Sequence, residues 1–188
     1  MSIIAKFSLD EYHRMIASGV FATPKRRRIE LIEGELREMN PVGPDHTWLV
    51  NRLAKWSLRS APERDVYVSV QGPLAMDVSE SEPEPDIYWA VQKDYQPALP
   101  KAADVLLLIE VAHSSLLFDR SEKRDLYARA EIPDYWIVNV EEQTIEVHRE
   151  PQRGSYCNVQ TFSIGQEVHP LTASKLALKL DWLFESKD

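Results

Sequence analysis

The sequence predicts a mixed β-sheet with helices packed on its faces, in the α/β or α+β class. Three observations carry this. Strand-like and helix-like runs alternate, in the order helix, strands, helix, strands, helix, strands. Several adjacent strand runs are joined by short turns and read as antiparallel hairpins. Residues 106 to 140 read as strand, helix, strand, the pattern of a right-handed parallel crossover.

The elements follow in order. SLDEYHRMIAS, residues 8 to 18, reads as a short helix that Ser8 can cap, with Glu11 completing a capping box. IELIEGELREM, Ile29 to Met39, alternates around Glu33-Gly34 and is expected to be a hairpin. In PDHTWLVNRLAKWSLRS, residues Trp48, Leu49, Leu53, Trp56 and Leu58 sit close to helical spacing, so an amphipathic helix is expected. VYVSVQ and PLAMDV read as strands, as does PDIYWAV, Pro85 to Val91. VLLLIEVA is apolar on both faces, as a central strand is. DRSEKRDLYARA reads as a helix opened by a capping box of Asp119 and Glu122. IPDYWIVNV and TIEVHRE read as strands joined by the turn EEQ; YCNVQTFSI is one more, and ASKLALKLDWLF closes the chain. With no repeat, low-complexity tract or long linker, residues 1 to 188 read as a single domain.

Composition narrows the class. Hydrophobic residues make up 44% and charged residues 28%, as in an ordinary globular protein. The longest apolar runs are too short to span a bilayer. The opening MSIIAKFSLDEYHRM has neither a long apolar segment nor a small-residue cleavage site. Cys157 is the only cysteine, which excludes an internal disulfide and a cysteine metal cage. A cytoplasmic protein is expected. The net charge of −8 argues against a surface coated in basic charge for nucleic acid. PKRRR, Pro24 to Arg28, is one local basic cluster, read as solvated surface ahead of phosphate contact. The acidic balance also fits a site for a divalent cation. A serine hydrolase is unsupported, because no Gly-x-Ser-x-Gly elbow is present, and there is no glycine-rich phosphate loop.

One residue breaks the apolar pattern: Glu110, inside VLLLIEVA. A carboxylate in a buried strand is costly unless something pairs with it. Its face of the strand also carries Leu106, Leu108 and Ala112, while Asp86 shares a face with Tyr88 and Ala90. If the two strands are antiparallel neighbours, Asp86 and Glu110 meet at one edge of the sheet. Two adjacent carboxylates repel, and a divalent cation between them removes the conflict. Mg²⁺ is typically held by one or two carboxylates plus waters and phosphate oxygens. On the following helix, Asp119, Lys123, Tyr127 and Ala130 form one stripe, so Lys123 lies on or beside the packed face. Two carboxylates and an ammonium that converge suit phosphodiester hydrolysis.

EPDIYWAV, LLLIEVAHSSLLFD and EKRDLYARAEIPDYWIVN together resemble the Uma-type, restriction-endonuclease-like branch of the PD-(D/E)XK nuclease superfamily. The match is close over residues 83 to 140 and weaker upstream, through IELIEGEL and GPDHTWLVNRLAKW. Pro85-Asp86 matches the PD element and Glu110 the (D/E). The lysine of the general pattern falls on Ala112, and in this branch it is shifted onto the next helix, as Lys123. Glu131 stands in a turn where the branch often has glycine. The resemblance implies a restriction-endonuclease-like core with an N-terminal helix and hairpin, and Mg²⁺ (Mn²⁺ as a substitute) held by Asp86 and Glu110. It further implies DNA as substrate, Lys123 at the reacting phosphate, and an upstream glutamate. Glu30 fits that last place better than Glu33, which sits in the turn. His46 could reach the metal or a phosphate, or be an ordinary capping or surface histidine. Asp119 is expected to cap its helix, and Tyr127 to lie in the core with its hydroxyl near the site. His113 follows the key strand; His13, His148 and His169 show no pattern.

The expected activity is a Mg²⁺-dependent endodeoxyribonuclease. The alternatives are an inactive nuclease-fold binding or regulatory module, and a phosphodiesterase for a small nucleotide. A homodimer is expected, because enzymes that cut both strands commonly pair two sites and five tryptophans exceed what one small core needs. DNA against RNA stays open at this point.

Overall fold

The computed structural model describes residues 4–22 and 27–185. A short helix α1 (Leu9–Ala17) precedes a hairpin of β1 (Ile29–Ile32) and β2 (Glu35–Glu38). Helix α2 (Pro44–Ser60) leads into β3 (Val66–Val70), β4 (Ile87–Val91) and β5 (Val105–Ala112). Then α3 (Leu116–Phe118), a π-helical turn over Asp119–Lys123, and α4 (Arg124–Arg129) run on without a break. Strands β6 (Asp134–Asn139), β7 (Thr144–Gln152) and β8 (Ser155–Phe162) follow. The chain closes with β9 (Glu167–Val168), β10 (Leu178–Lys179) and α5 (Leu180–Phe184).

Strands β3 to β8 form one six-stranded sheet in sequence order. The β5–β6 pair is parallel and every other neighbouring pair is antiparallel, so the sheet is mixed as expected. Apolar residues on one face meet α2 and α5: Leu49, Leu53 and Leu183 pack with Ile109, Trp89 and Trp136. Those on the other face meet α4: Leu126 and Tyr127 pack with Tyr88, Leu108 and Tyr135. Trp56 lies 5.3 Å from Trp89 and 6.0 Å from Trp136, ring centre to ring centre. Trp48 and Trp182 instead flank Arg52. All five tryptophans thus have a use within one chain, which removes that argument for a homodimer.

Local chemistry sets the turns and caps. The Ser8 hydroxyl accepts from the Glu11 N–H, and the Glu11 carboxylate accepts from the Ser8 N–H, the reciprocal cap expected. Glu33 and Gly34 both have positive φ, the geometry a two-residue hairpin needs. A Cβ at Gly34 would stand 2.9 Å from the Lys6 Cβ, so the close approach of Phe7 requires glycine there. Glu131 is held at φ 58°, a left-handed conformation that explains why glycine suits this turn better.

Three expectations are corrected. PLAMDV is not a strand; Ala75 and Met76 make single bridges to Lys101 and Ser81, and Asp77–Ser79 form a short 3₁₀ turn. Pro73 supplies no N–H, and the chain doubles back at Glu80, whose φ is 46°. Asp119 does not cap a helix: helical backbone already runs through Leu116–Phe118 before it, and the Asp119 side chain accepts from the Ser115 hydroxyl at 2.7 Å. Leu106 does not share the face of Glu110. Trp89 pairs with Leu107 but Ala90 pairs with Val105, so a bulge at Leu106 resets the alternation. Leu106 therefore packs on the side of Leu107, while Leu108 and Ala112 keep the face expected. Of the PKRRR cluster, Pro24, Lys25 and Arg26 lie outside the described residues. Arg27 pairs with Glu38 at the exposed surface; Arg28 pairs with Glu84 and, with 33% of its side chain exposed, lines a cavity beside Glu30 rather than standing in open solvent. Among the described residues no helix is long and apolar enough to cross a membrane.

Candidate active site

A cavity of about 300 Å³ opens where the end of β5 meets the start of α2 and the β1–β2 hairpin; Glu30, His46, Asp86, Glu110, Asp119 and Lys123 line it. The antiparallel register sets Ile87 opposite Ile109, which brings Asp86 beside Glu110 as the faces predict. The Asp86 N–H donates to Glu110 Oε2 at 3.3 Å, and the Val111 N–H donates to Asp86 Oδ2 at 2.9 Å. Gln71 Nε2 donates to Asp86 Oδ1 at 3.2 Å, and His46 Nε2 lies 3.1 Å from Oδ2.

Lys123 points inward with 4% of its side chain exposed; its Nζ donates to Glu110 Oε1 at 2.9 Å and to Glu30 Oε1 at 3.2 Å. The Tyr127 hydroxyl donates to the same Glu110 oxygen at 2.8 Å. Glu110 is therefore held by an ammonium and a phenol. Glu30 also accepts the Glu84 N–H at 2.8 Å, which ties the N-terminal hairpin to the site. Every residue singled out from the sequence is in this cluster: Glu30, His46, Asp86, Glu110 and Lys123. His113 lines the cavity too. His13, His148 and His169 lie against Glu82, Glu146 and Glu167, away from it.

The charges do not balance. Glu30, Asp86, Glu110 and Asp119 are all buried, and Lys123 is the one buried ammonium among them. Burial drives the Glu110 carboxyl up to about 8; Lys123 opposes that, while Asp119, Asp86 and Glu30 add to it. Burial likewise raises Asp119 to about 6, against Lys123 and the Ser115 hydroxyl. Burial alone would lower Lys123, but the surrounding carboxylates outweigh it and keep the ammonium charged. Asp86 behaves differently. Burial raises it, but the bonds from His46, Val111 and Gln71 more than offset that and hold it below the usual aspartate range.

This donor set fits a hard divalent cation. Asp86 is held ionised with Oδ1 bonded only to Gln71, and Glu110 Oε2 carries only the long bond from the Asp86 N–H, so each carboxylate keeps one oxygen with a single hydrogen bond. Among the described residues no three His, Cys, Asp or Glu side chains gather as a ready metal cage. An all-oxygen pair of carboxylates without sulfur or a histidine cage suits a hard divalent cation. Sequence reasoning missed two contributors. Asp119 carries the signal of its helix stripe, but its spacing to Glu122 reads equally as a cap. Gln71, just past β3, had no signal at all; only the β3–β4 pairing brings it to Asp86.

No curated protein matches the chain. A crystal structure described as a putative nuclease belonging to DUF820 from Anabaena variabilis superposes with a TM-score of 0.71 at 18% identity, covering 95% of this chain and 97% of that one. At that identity the likeness establishes the fold alone, and it is the nuclease-like mixed sheet expected. A family model described as "Uma2: Putative restriction endonuclease" matches residues 9–181, a span holding each site residue named above. With the model covering nearly the whole chain, this protein belongs to the Uma2 family of restriction-endonuclease-like proteins.

Proposed function

We propose that this protein is a divalent-metal-dependent endonuclease that hydrolyses DNA phosphodiester bonds. One observation carries the reading: the buried Lys123 ammonium bonded to Glu110, beside Asp86, in the wall of a single cavity. Asp86 and Glu110 would hold Mg²⁺, with Mn²⁺ able to replace it. When bound, the metal supplies a polarised phosphoryl oxygen and a water of lowered pKa. The chain's own groups do the rest. Lys123 fixes the rotamer of Glu110 and places a permanent positive charge where negative charge develops on the phosphoryl group. Tyr127 holds the same Glu110 oxygen. His46 and Gln71 fix the two oxygens of Asp86, and Glu30 anchors Lys123 from the far side. Cutting both strands of a duplex needs two such sites, which a homodimer would supply. The lone exposed Cys157 suits a reducing cytoplasm.

The second reading is a nuclease-fold module that binds without cutting, favoured by the way Lys123 already occupies Glu110 and Glu30. Supercoiled plasmid, single-stranded DNA and RNA, incubated with Mg²⁺, Mn²⁺ or EDTA, separate the two. Nicking that needs metal and disappears in Glu110→Gln and Lys123→Ala is the expected result. No cleavage, together with no stoichiometric Mn²⁺ uptake, would sink the nuclease reading in favour of the module.

A further inference from the structure

Helix α2 carries a second feature that the site does not use. Its inward face, Leu49, Val50, Leu53 and Trp56, packs on the sheet. Trp48, Arg52, Lys55 and Arg59 follow at spacings of four, three and four, and so form one narrow stripe on the flank of the helix that borders α5. Asp45 is the only acidic residue of the helix. Some surface cations sit against carboxylates, as Arg27 does on Glu38 and Lys101 on Asp77, while others, such as Arg64 and Arg153, are in no ion pair among the described residues. Among the described residues, Arg52, Lys55 and Arg59 make no ion pair. What distinguishes these three is their alignment: in a chain of net charge −8, they concentrate positive charge along one line of a single helix.

Arg52 is also built in place. Its guanidinium lies 4.6 Å from the Trp48 ring and 4.5 Å from that of Trp182, clamped between two indoles, and its Nε is buried with no partner. A guanidinium fixed flat by aromatic faces presents its remaining N–H groups outward as a rigid fork, the geometry suited to phosphate. Trp48 keeps 37% of its surface exposed, leaving indole area on which a base can stack. The stripe runs about 17 Å along the helix, or about five steps of a nucleic-acid strand at roughly 3.4 Å each. It begins two residues past His46, which lines the cavity.

We propose that this flank of α2 is a nucleic-acid strand track, on which Arg52, Lys55 and Arg59 hold backbone phosphates and Trp48 stacks a base of the DNA flanking the cavity. This rests on the nuclease reading for its substrate, but the binding it describes is measurable without cleavage. The test is anisotropy of a short labelled single-stranded DNA, in EDTA, across a salt series. Lys55→Ala with Arg59→Ala, both at exposed positions, should weaken binding about tenfold and flatten the log–log salt slope by about 1.4, at roughly 0.7 per lost phosphate contact. Trp48→Ala should weaken binding and remove DNA quenching of tryptophan fluorescence. Unchanged affinity and slope in the double variant would overturn the proposal. So would inorganic polyphosphate competing as well as DNA, since polyphosphate has the charge without the bases. Hydrolysis of bis(p-nitrophenyl) phosphate reports on the cavity separately. The double variant should match wild type there, and a wild-type protein that binds DNA through α2 yet cleaves nothing would fail the nuclease reading alone.

Discussion

Strands β5 and β6 each bury a carboxylate, Glu110 near the end of one and Asp134 at the start of the other, and the two are treated in opposite ways. Asp134 is saturated. Arg149 Nε donates to its Oδ1 at 2.8 Å and Nη2 to its Oδ2 at 3.2 Å; Trp136 Nε1 and the Leu171 N–H add two more bonds at 2.8 Å. One guanidinium answers one carboxylate, and the result pins the segment after β9 to the sheet. Around Glu110, four buried carboxylates share one ammonium, and the wall opens onto a cavity. A carboxylate kept for architecture is matched in charge and in hydrogen bonds. A carboxylate left in surplus raises the free energy of the folded state unless another cation arrives, which is the electrostatic mark of a site.

The sharpest way to break this contrast is to swap the consequences. Glu110→Gln should abolish metal-dependent cleavage and leave the protein folded, read by plasmid nicking beside circular dichroism. Asp134→Asn should do the reverse. Leaving Arg149 beside an amide is expected to destabilise the fold by about 3 kcal/mol, as breaking a buried pair does, with the cleavage rate per folded molecule unchanged. Denaturant melts separate the two, and a destabilised Glu110→Gln with an untouched Asp134→Asn would invert the assignment.

pH sharpens the comparison further. An unfolded glutamate ionises near 4.5, whereas folded Glu110 keeps its proton to about 8; for Asp119 the corresponding values are 3.8 and about 6. Between those limits the folded state binds more protons than the unfolded one, so stability falls as pH rises. Lys123, raised above 10.5, adds no slope in that window. The metal-free protein should therefore lose thermal stability from pH 5 to pH 8, and Mn²⁺ should restore it by binding the ionised form. A melting temperature flat over that window would contradict the charge surplus. The smallest effect belongs to the turn after α4. Glu131→Gly should raise stability by up to about 1 kcal/mol by relieving a left-handed backbone, without touching cleavage.

Much of this was legible in the sequence because it is local. Period-two and helical spacing located β4, β5, α2 and the stripe Asp119–Lys123–Tyr127, and a glutamate inside an aliphatic strand announced its own need for a partner. Capping chemistry located α1 through Ser8 and Glu11, because that cap depends on residues three apart. What failed had a different cause. The same spacing at Asp119 and Glu122 reads as a cap only if helix has not already begun, and Leu116–Phe118 had begun it. The bulge at Leu106 follows from the pairing of β4 with β5, which no single strand encodes. Gln71 meets Asp86 only through the β3–β4 register, and Trp182 meets Arg52 only because α5 returns to α2 from far along the chain. The sequence by itself determined which residues are unusual and which face of each element they occupy, since both depend on spacing. Only the tertiary structure decided which of them meet and how many charges share one buried site, because register and burial are properties of contacts between distant segments.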